Sequence, residues 1–262
     1  MTAIPDAFFV PDGAAFVATE HTRGPWSEDH QHAGPPAALI ARAFEALAGD
    51  LWIARMTFEL LRPIPIGPLR LATHELRPGK RVRQYGAVLT DGETEVVRAT
   101  ALCIRQADVD VEAPADLPPE PAMCGPEESS ETMFPFFTSD AGYHTSMELR
   151  IGVGGVGHGH AQAWLRMRHP LVAGEAPSPL QRLAIAADSG NGVSAALDHE
   201  RFVFINPDLT VYVHRLPLGE WVGLHARTLA EPNGVGLADD RLYDERGPIA
   251  RACQSLLIAA RP

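Results

Sequence analysis

Three polar side chains interrupt otherwise apolar surroundings, and their types suit them to handle a water molecule. Asp188 closes the run Ser178-Pro-Leu-Gln-Arg-Leu-Ala-Ile-Ala-Ala, Asn206 precedes the strand-like Leu209 to Arg215, and Gln254 breaks up Ala250-Arg-Ala-Cys-Gln-Ser-Leu-Leu-Ile. A carboxylate can take a proton from water, and a side-chain amide carries both donor and acceptor, enough to hold a water beside the group that receives its proton. Plainer readings exist: a turn-forming Asp188 before Ser189-Gly190-Asn191-Gly192, and a Gln254 on the solvent face of an edge strand. Against the first, a carboxylate at a helix C-terminus is opposed by the macrodipole and needs solvent or dedicated donors.

The elements that must position these residues begin with the helix at Ser178. Ser178 suits the cap, Pro179 the first helical position, and Leu180, Leu183, Ala184 and Ala187 make one apolar stripe. An earlier helix follows Gly34-Pro-Pro and stops at Gly49; after Pro36 only Arg42 and Glu45 interrupt its apolar surface, which implies surroundings on most sides. Before it, weak alternation from Asp12 to Arg23 ends at the turn Gly24-Pro25-Trp26. After it, strand-like runs at 55–62, 69–77, 81–90 and 94–105 are separated by Pro/Gly and Asp-Gly turns, the pattern of an antiparallel meander. Gln106 to Pro135 is Pro-rich and acidic and reads as a linker lying over the surface. Tyr143 to Ile151 and His160 to Arg168 read as strands joined by a Gly-rich turn.

The chain repeats itself. Thr57 and Thr210 lie 153 positions apart, and the same offset relates Arg62 to Arg215, Leu71 to Leu224, Leu89 to Leu242, Asp91 to Asp244, Arg98 to Arg251 and Ala99 to Ala252. Duplication explains this better than chance. The helices keep a different offset, 143 between Pro36 and Pro179. Gln254 has Ala101 as its counterpart, so only the second copy carries the polar group. One apolar helix laid across an antiparallel sheet, present twice, predicts an α+β double hotdog: repeats at 1–105 and 139–262 joined by a linker at 106–138.

Bulk properties narrow the function. The 262 residues carry 22 Lys+Arg against 33 Asp+Glu, a net charge of −11, which argues against nucleic-acid or anionic-membrane binding. No signal peptide or membrane-length apolar run is read, and three scattered cysteines fit a reducing cytoplasm. His30/His32 and His158/His160 lack a third metal ligand and read as polar surface. Gly152-Val-Gly-Gly-Val-Gly157 leads into a strand pattern, which excludes a dinucleotide fingerprint, and no Gly-x-Ser-x-Gly elbow supports a serine acyl-enzyme. The basic run Arg77-Pro-Gly-Lys80-Arg81-Val-Arg83, at a hairpin tip, is either a solvated turn or a local phosphate contact.

The stretch Asn206 to Trp221, with Leu242-Tyr-Asp-Glu-Arg-Gly247 and Gln254, resembles the C-terminal half of the acyl-CoA thioesterase II family; His32-Ala-Gly34 and the helix after it resemble its N-terminal hotdog helix, with Pro35 in place of the usual second Gly. The resemblance implies thioester hydrolysis of acyl-CoA by an activated water, with no metal or redox cofactor. It places the family's water-binding Asp, Thr and Gln on Asp188, Asn206 and Gln254, with Asn where Thr is usual. Expected further roles are an oxyanion-binding N–H near Gly34 and coenzyme A phosphate contacts at Lys80, Arg81 and Arg83; Asp208 and Arg215 are expected to support structure. A homo-oligomer is expected because hotdog sheets pair to cover their edges. The alternative is a non-catalytic acyl-CoA or apolar-ligand-binding hotdog protein.

Overall fold

Runs that alternate or are continuously apolar form the strands, and the structure, a computed structural model describing residues 5–112, 116 and 119–261, arranges them in two mirrored sets. In the first half, β1 (Phe9–Asp12) and β2 (Ala15–Ala18) precede helix α1 (Gly34–Ala48) and the meander β3 (Leu51–Leu60), β4 (Pro68–Arg77), β5 (Val82–Asp91) and β6 (Thr94–Arg105). The second half runs β7 (Ser130–Thr132), α2 (Tyr143–Ser146), β8 (Met147–Gly155), β9 (His160–Met167), α3 (Pro179–Ala187), α4 (Gly190–Val193), β10 (Phe202–Ile205), β11 (Asp208–Val213), β12 (Val222–Ala230), β13 (Val235–Asp244) and β14 (Gly247–Ala260). Among the described residues the strands form one antiparallel sheet of order β1-β2-β4-β5-β6-β3-β11-β14-β13-β12-β9-β8-β7, with β10 also on β14. No helix among them is long and apolar enough to cross a membrane.

The 153-residue offset reappears as register. Thr57 pairs with Thr100 and Thr210 with Cys253; Leu71 with Leu89 and Leu224 with Leu242; Tyr85 with Ala101 and Ala238 with Gln254. The two sets meet at the β3–β11 seam, where Thr57 and Thr210 face each other with hydroxyls 3.2 Å apart. The repeat therefore brings its own corresponding residues together at the centre of the sheet.

Both helices are buried where they meet. Residues 34–41 of α1 are all buried, and α1 packs on β3, β5 and β6 while α3 packs on β9 and β12. Ser178 Oγ accepts from the Gln181 N–H at 3.1 Å, and Leu180, Leu183, Ala184 and Ala187 are buried. Burial of each leucine is worth about 1.5–3 kcal/mol over leaving it exposed. One hydrophobic cluster contains Phe44 and Phe58 from the first half and Val211 and Leu242 from the second.

Two expectations need correction. Tyr143–Ser146 is a helical turn, with the strand starting at Met147. The segment read as a surface linker is structured from Pro126 onward: Pro126–Glu128 makes a 3-10 turn, Ser130–Thr132 pairs with β8, and Phe134 is only 5% exposed. Residues 113–115 and 117–118 of that expected linker, and residues 1–4 of the N-terminal reading, lie outside the described residues.

Candidate active site

Helix α3 ends at Asp188, and the bonds around its carboxylate define the site. Asn206 Nδ2 donates to Oδ1 at 2.8 Å and Gln254 Nε2 donates to the same oxygen at 2.9 Å. Oδ2 faces His32 Nδ1 at 3.1 Å. The three residues expected around one water thus touch each other directly, converging on Oδ1 and leaving Oδ2 on the His32 side.

Local structure explains each placement. Asn206-Pro207 separates β10 from β11: β10 pairs with residues 257–260 of β14 and β11 with residues 250–253, so Gln254 lies opposite the break. Pro207 has no N–H to continue the ladder. Asp208 bridges the gap by accepting the Ser255 N–H at 2.8 Å. The first copy carries a bulge at the corresponding position, the register shifting between Ile53 and Arg55. Both copies thus interrupt the ladder at the same place, and in the second the interruption carries Asn206.

Gln254 is oriented from behind, because its Oε1 accepts from the Asn191 N–H at 3.2 Å and its Nε2 is thereby turned towards Asp188. His32 stacks on Tyr143 with parallel rings 3.8 Å apart. The Tyr143 hydroxyl donates to the Ile185 carbonyl at 2.9 Å and lies 2.7 Å from Ser189 Oγ.

Burial pushes the Asp188 carboxyl up to about 7 against the opposing pull of Asn206, Gln254 and the Gly34 and Ala33 amides. These amides open α1, so the carboxylate at the end of one helix meets the positive end of another. Burial also lowers His32 to about 3, making it a neutral imidazole. An imidazolium–carboxylate pair here would bury two charges; a neutral ring set against the carboxyl avoids that cost. A second buried carboxyl, Asp240, is raised by burial, then by the charges of Asp239 and Asp188; a Cβ on Gly190 would collide with it.

Asp188, Asn206 and His32 line a cavity of about 450 Å³, with Asn191 and the rings of Trp26, Phe134, Phe136, Phe137 and Phe204. Gly34 is placed differently from its expected oxyanion role: its N–H donates to His32 Nδ1 at 3.1 Å. Its lack of a side chain serves packing, since a Cβ would stand 2.5 Å from the Ile185 carbonyl of α3. Lys80, Arg81 and Arg83 are not brought to the cavity. Their hairpin lies beside the far end of β6, where Arg83 pairs with Cys103 and Cys103 with Ile53, while the cavity opens at the Leu60 end of β3, roughly 23 Å along the strand direction. Arg83 Nε instead donates to the Gly79 carbonyl at 2.9 Å. Arg215 makes a two-point pair with Asp244, a structural tie.

His32 and Asn191 are the residues the sequence reading missed. The sequence pattern groups His32 with His30 as polar surface, yet its ring is half-buried, 14% exposed, and lies against the carboxylate. The fragment His32-Ala-Gly34 at a helix entry was the available signal. Asn191 carried none, because its contribution is a backbone N–H.

The family model described as the acyl-CoA thioesterase N-terminal domain matches residues 22–104, and the one described as the C-terminal domain matches residues 114–258. No curated protein matches the chain. Among solved structures, a candidate thioesterase II from Thermobifida fusca YX is 16% identical with a TM-score of 0.74, covering 99% of both chains. A hot dog fold protein of unknown function from Alicyclobacillus acidocaldarius is 16% identical with a TM-score of 0.70 over 98% of both. The acyl-CoA thioesterase II TesB2 of Mycobacterium marinum is 16% identical with a TM-score of 0.63, over 88% of this chain and 90% of that one. At such identities these likenesses speak to the fold, which is of hotdog type, whereas the two matched models span most of the sequence: this chain belongs to the acyl-CoA thioesterase family and is a thioesterase.

Proposed function

We propose that this protein hydrolyses acyl-CoA by direct attack of a water activated at Asp188, within a double hotdog whose repeats are residues 1–105 and 139–262 and whose connecting segment is 106–138. The mirrored strand order and the shared register support the two-repeat reading. The observation that carries the mechanism is the convergence of Asn206 and Gln254 on one oxygen of Asp188. Those bonds fix the carboxylate and favour its charged form, so Oδ2 is the oxygen that takes the proton. Water held in the cavity between Oδ2 and the Asn206 carbonyl loses a proton to Asp188 as its oxygen bonds the thioester carbon. The tetrahedral oxyanion then collapses, the carbon–sulfur bond breaks, and the coenzyme A thiolate leaves with the proton from Asp188. Neither step requires a covalent acyl-enzyme. A carboxyl poised near 7 suits this work, since a general base is most effective with its pKa near the working pH. Asn206 replaces a hydroxyl with an amide but keeps a donor for Oδ1 and an acceptor for water.

The test is release of free thiol from an acyl-CoA panel by the wild type and by Asp188→Asn. The variant is expected to lose about 10²- to 10⁴-fold in rate, the usual worth of a general base, with its circular dichroism spectrum unchanged. Undiminished turnover in the folded variant overturns the mechanism. Binding of acyl-CoA by the wild type without hydrolysis at any chain length would favour a binding module.

A further inference from the structure

Aromatic residues make up 7% of the chain, yet five of the 24 residues lining the cavity are aromatic. Three come from the short run Phe134-Pro-Phe-Phe137. Their ring centroids form a near-regular triangle, 5.7 Å for Phe134–Phe136, 5.9 Å for Phe134–Phe137 and 5.8 Å for Phe136–Phe137, with tilts of 41°, 48° and 27°. Gly192 lies against them: a Cβ there would meet Phe134 at 3.4 Å and Phe136 at 3.6 Å, ordinary contact distances. Trp26 meets Phe204 edge-on at 5.6 Å and 90°.

The triangle connects to the base through rings. Phe134 is 6.3 Å from Tyr143, Tyr143 stacks on His32, and His32 Nδ1 lies 3.1 Å from Asp188. A thioester carbonyl set for attack beside Asp188 thus has these phenyl groups within the same cavity to receive its acyl group. An alkyl chain gains from such a wall by area alone. An aryl group gains comparable area and adds the edge and face complementarity of paired rings, equivalent to about a 2- to 10-fold preference. Volume points the same way, because about 450 Å³ lies in the lower half of the range for ligand pockets and must also admit part of the pantetheine arm.

We propose that the acyl group this site selects is a compact aryl group of the phenylacetyl or benzoyl type, and that Phe136 and Phe137 determine the selection. The inference rests on the hydrolase reading above for its reaction but not for its binding preference. The test compares phenylacetyl-CoA with octanoyl-CoA, which have equal numbers of acyl carbons. In the wild type the ratio of kcat/KM is expected to favour phenylacetyl by about 3- to 10-fold, and Phe136→Leu and Phe137→Leu should each bring it towards one. A wild-type preference for octanoyl, or a ratio unmoved in both variants, overturns the proposal. Calorimetric dissociation constants for the same two thioesters on Asp188→Asn protein give a reading independent of turnover: tighter phenylacetyl binding by a similar factor supports it and equal binding overturns it. If neither thioester is hydrolysed, the hydrolase reading fails while the binding ratio still decides the aryl preference.

Discussion

Asp188 sits under two opposing effects: burial favours the neutral carboxyl and prevails, while the donors Asn206 and Gln254 and the backbone amides at the start of α1 favour the anion. Because the base works only when ionised, hydrolysis should rise with pH through a midpoint near 7 and level off above it. Gln254→Leu removes one donor to the anion while leaving burial in place, so its midpoint should move up by about one pH unit, as read from the pH profile of kcat/KM. Stability carries the opposite sign. The folded carboxyl holds its proton up to about 7 whereas an unfolded Asp releases it near 3.8, so the folded state binds more protons between those values. The stability this contributes is fully present below about 3.8 and is lost as pH rises to about 7. Denaturant unfolding of wild type and Asp188→Asn across this window should show the wild type losing stability relative to the variant; parallel curves would contradict the assignment.

At the scale of elements, the site depends on how closely α1 and α3 approach. The end of α3 delivers Asp188 to the start of α1, and Gly34 permits this because no side chain stands between it and the Ile185 carbonyl. The partner relation is pseudo-symmetric: Glu45 of α1 accepts from Ser178 Oγ at 2.7 Å and from Gln181 Nε2 at 3.2 Å at the start of α3. Glu45 is spent on capping a helix, and Asp188 is the carboxylate that faces the cavity. Gly34→Ala must push the helix backbones apart, so we expect a loss of about 1–3 kcal/mol in denaturant unfolding together with a lower kcat, because His32 and the α1 amides retreat from Asp188. Unchanged stability and turnover would mean the close approach is not needed. Among strands, the Asn206-Pro207 break was legible as a proline before a strand; its coincidence with Gln254 was not, because register depends on pairing between segments far apart in sequence.

At the scale of the molecule, the two halves share a sheet and a core. The β3–β11 seam runs from the Arg55–Tyr212 pair to the Glu59–Asp208 pair, and the hydrophobic cluster crosses it. Neither half has a boundary across which it could melt alone without exposing that seam. Scanning calorimetry should therefore show one transition with equal van't Hoff and calorimetric enthalpies; two resolved transitions would make the halves independent.

Much of this protein was determined by local pattern. The 153-residue offset, the cap and stripe of α3 and the four strands of the first half follow from residue types at fixed spacing, because periodicity and duplication are properties of the chain itself, and the candidacy of Asp188, Asn206 and Gln254 follows from the family resemblance. Tertiary structure alone decided that Asn206 and Gln254 bond the same oxygen of Asp188, that His32 joins them, that the basic hairpin lies away from the cavity, and that Phe134, Phe136 and Phe137 wall it. Each of these is a meeting of residues from different elements, set by strand register and helix approach. Burial follows from the same packing, and it is burial that turns an ordinary aspartate at a helix end into a carboxyl poised near neutrality.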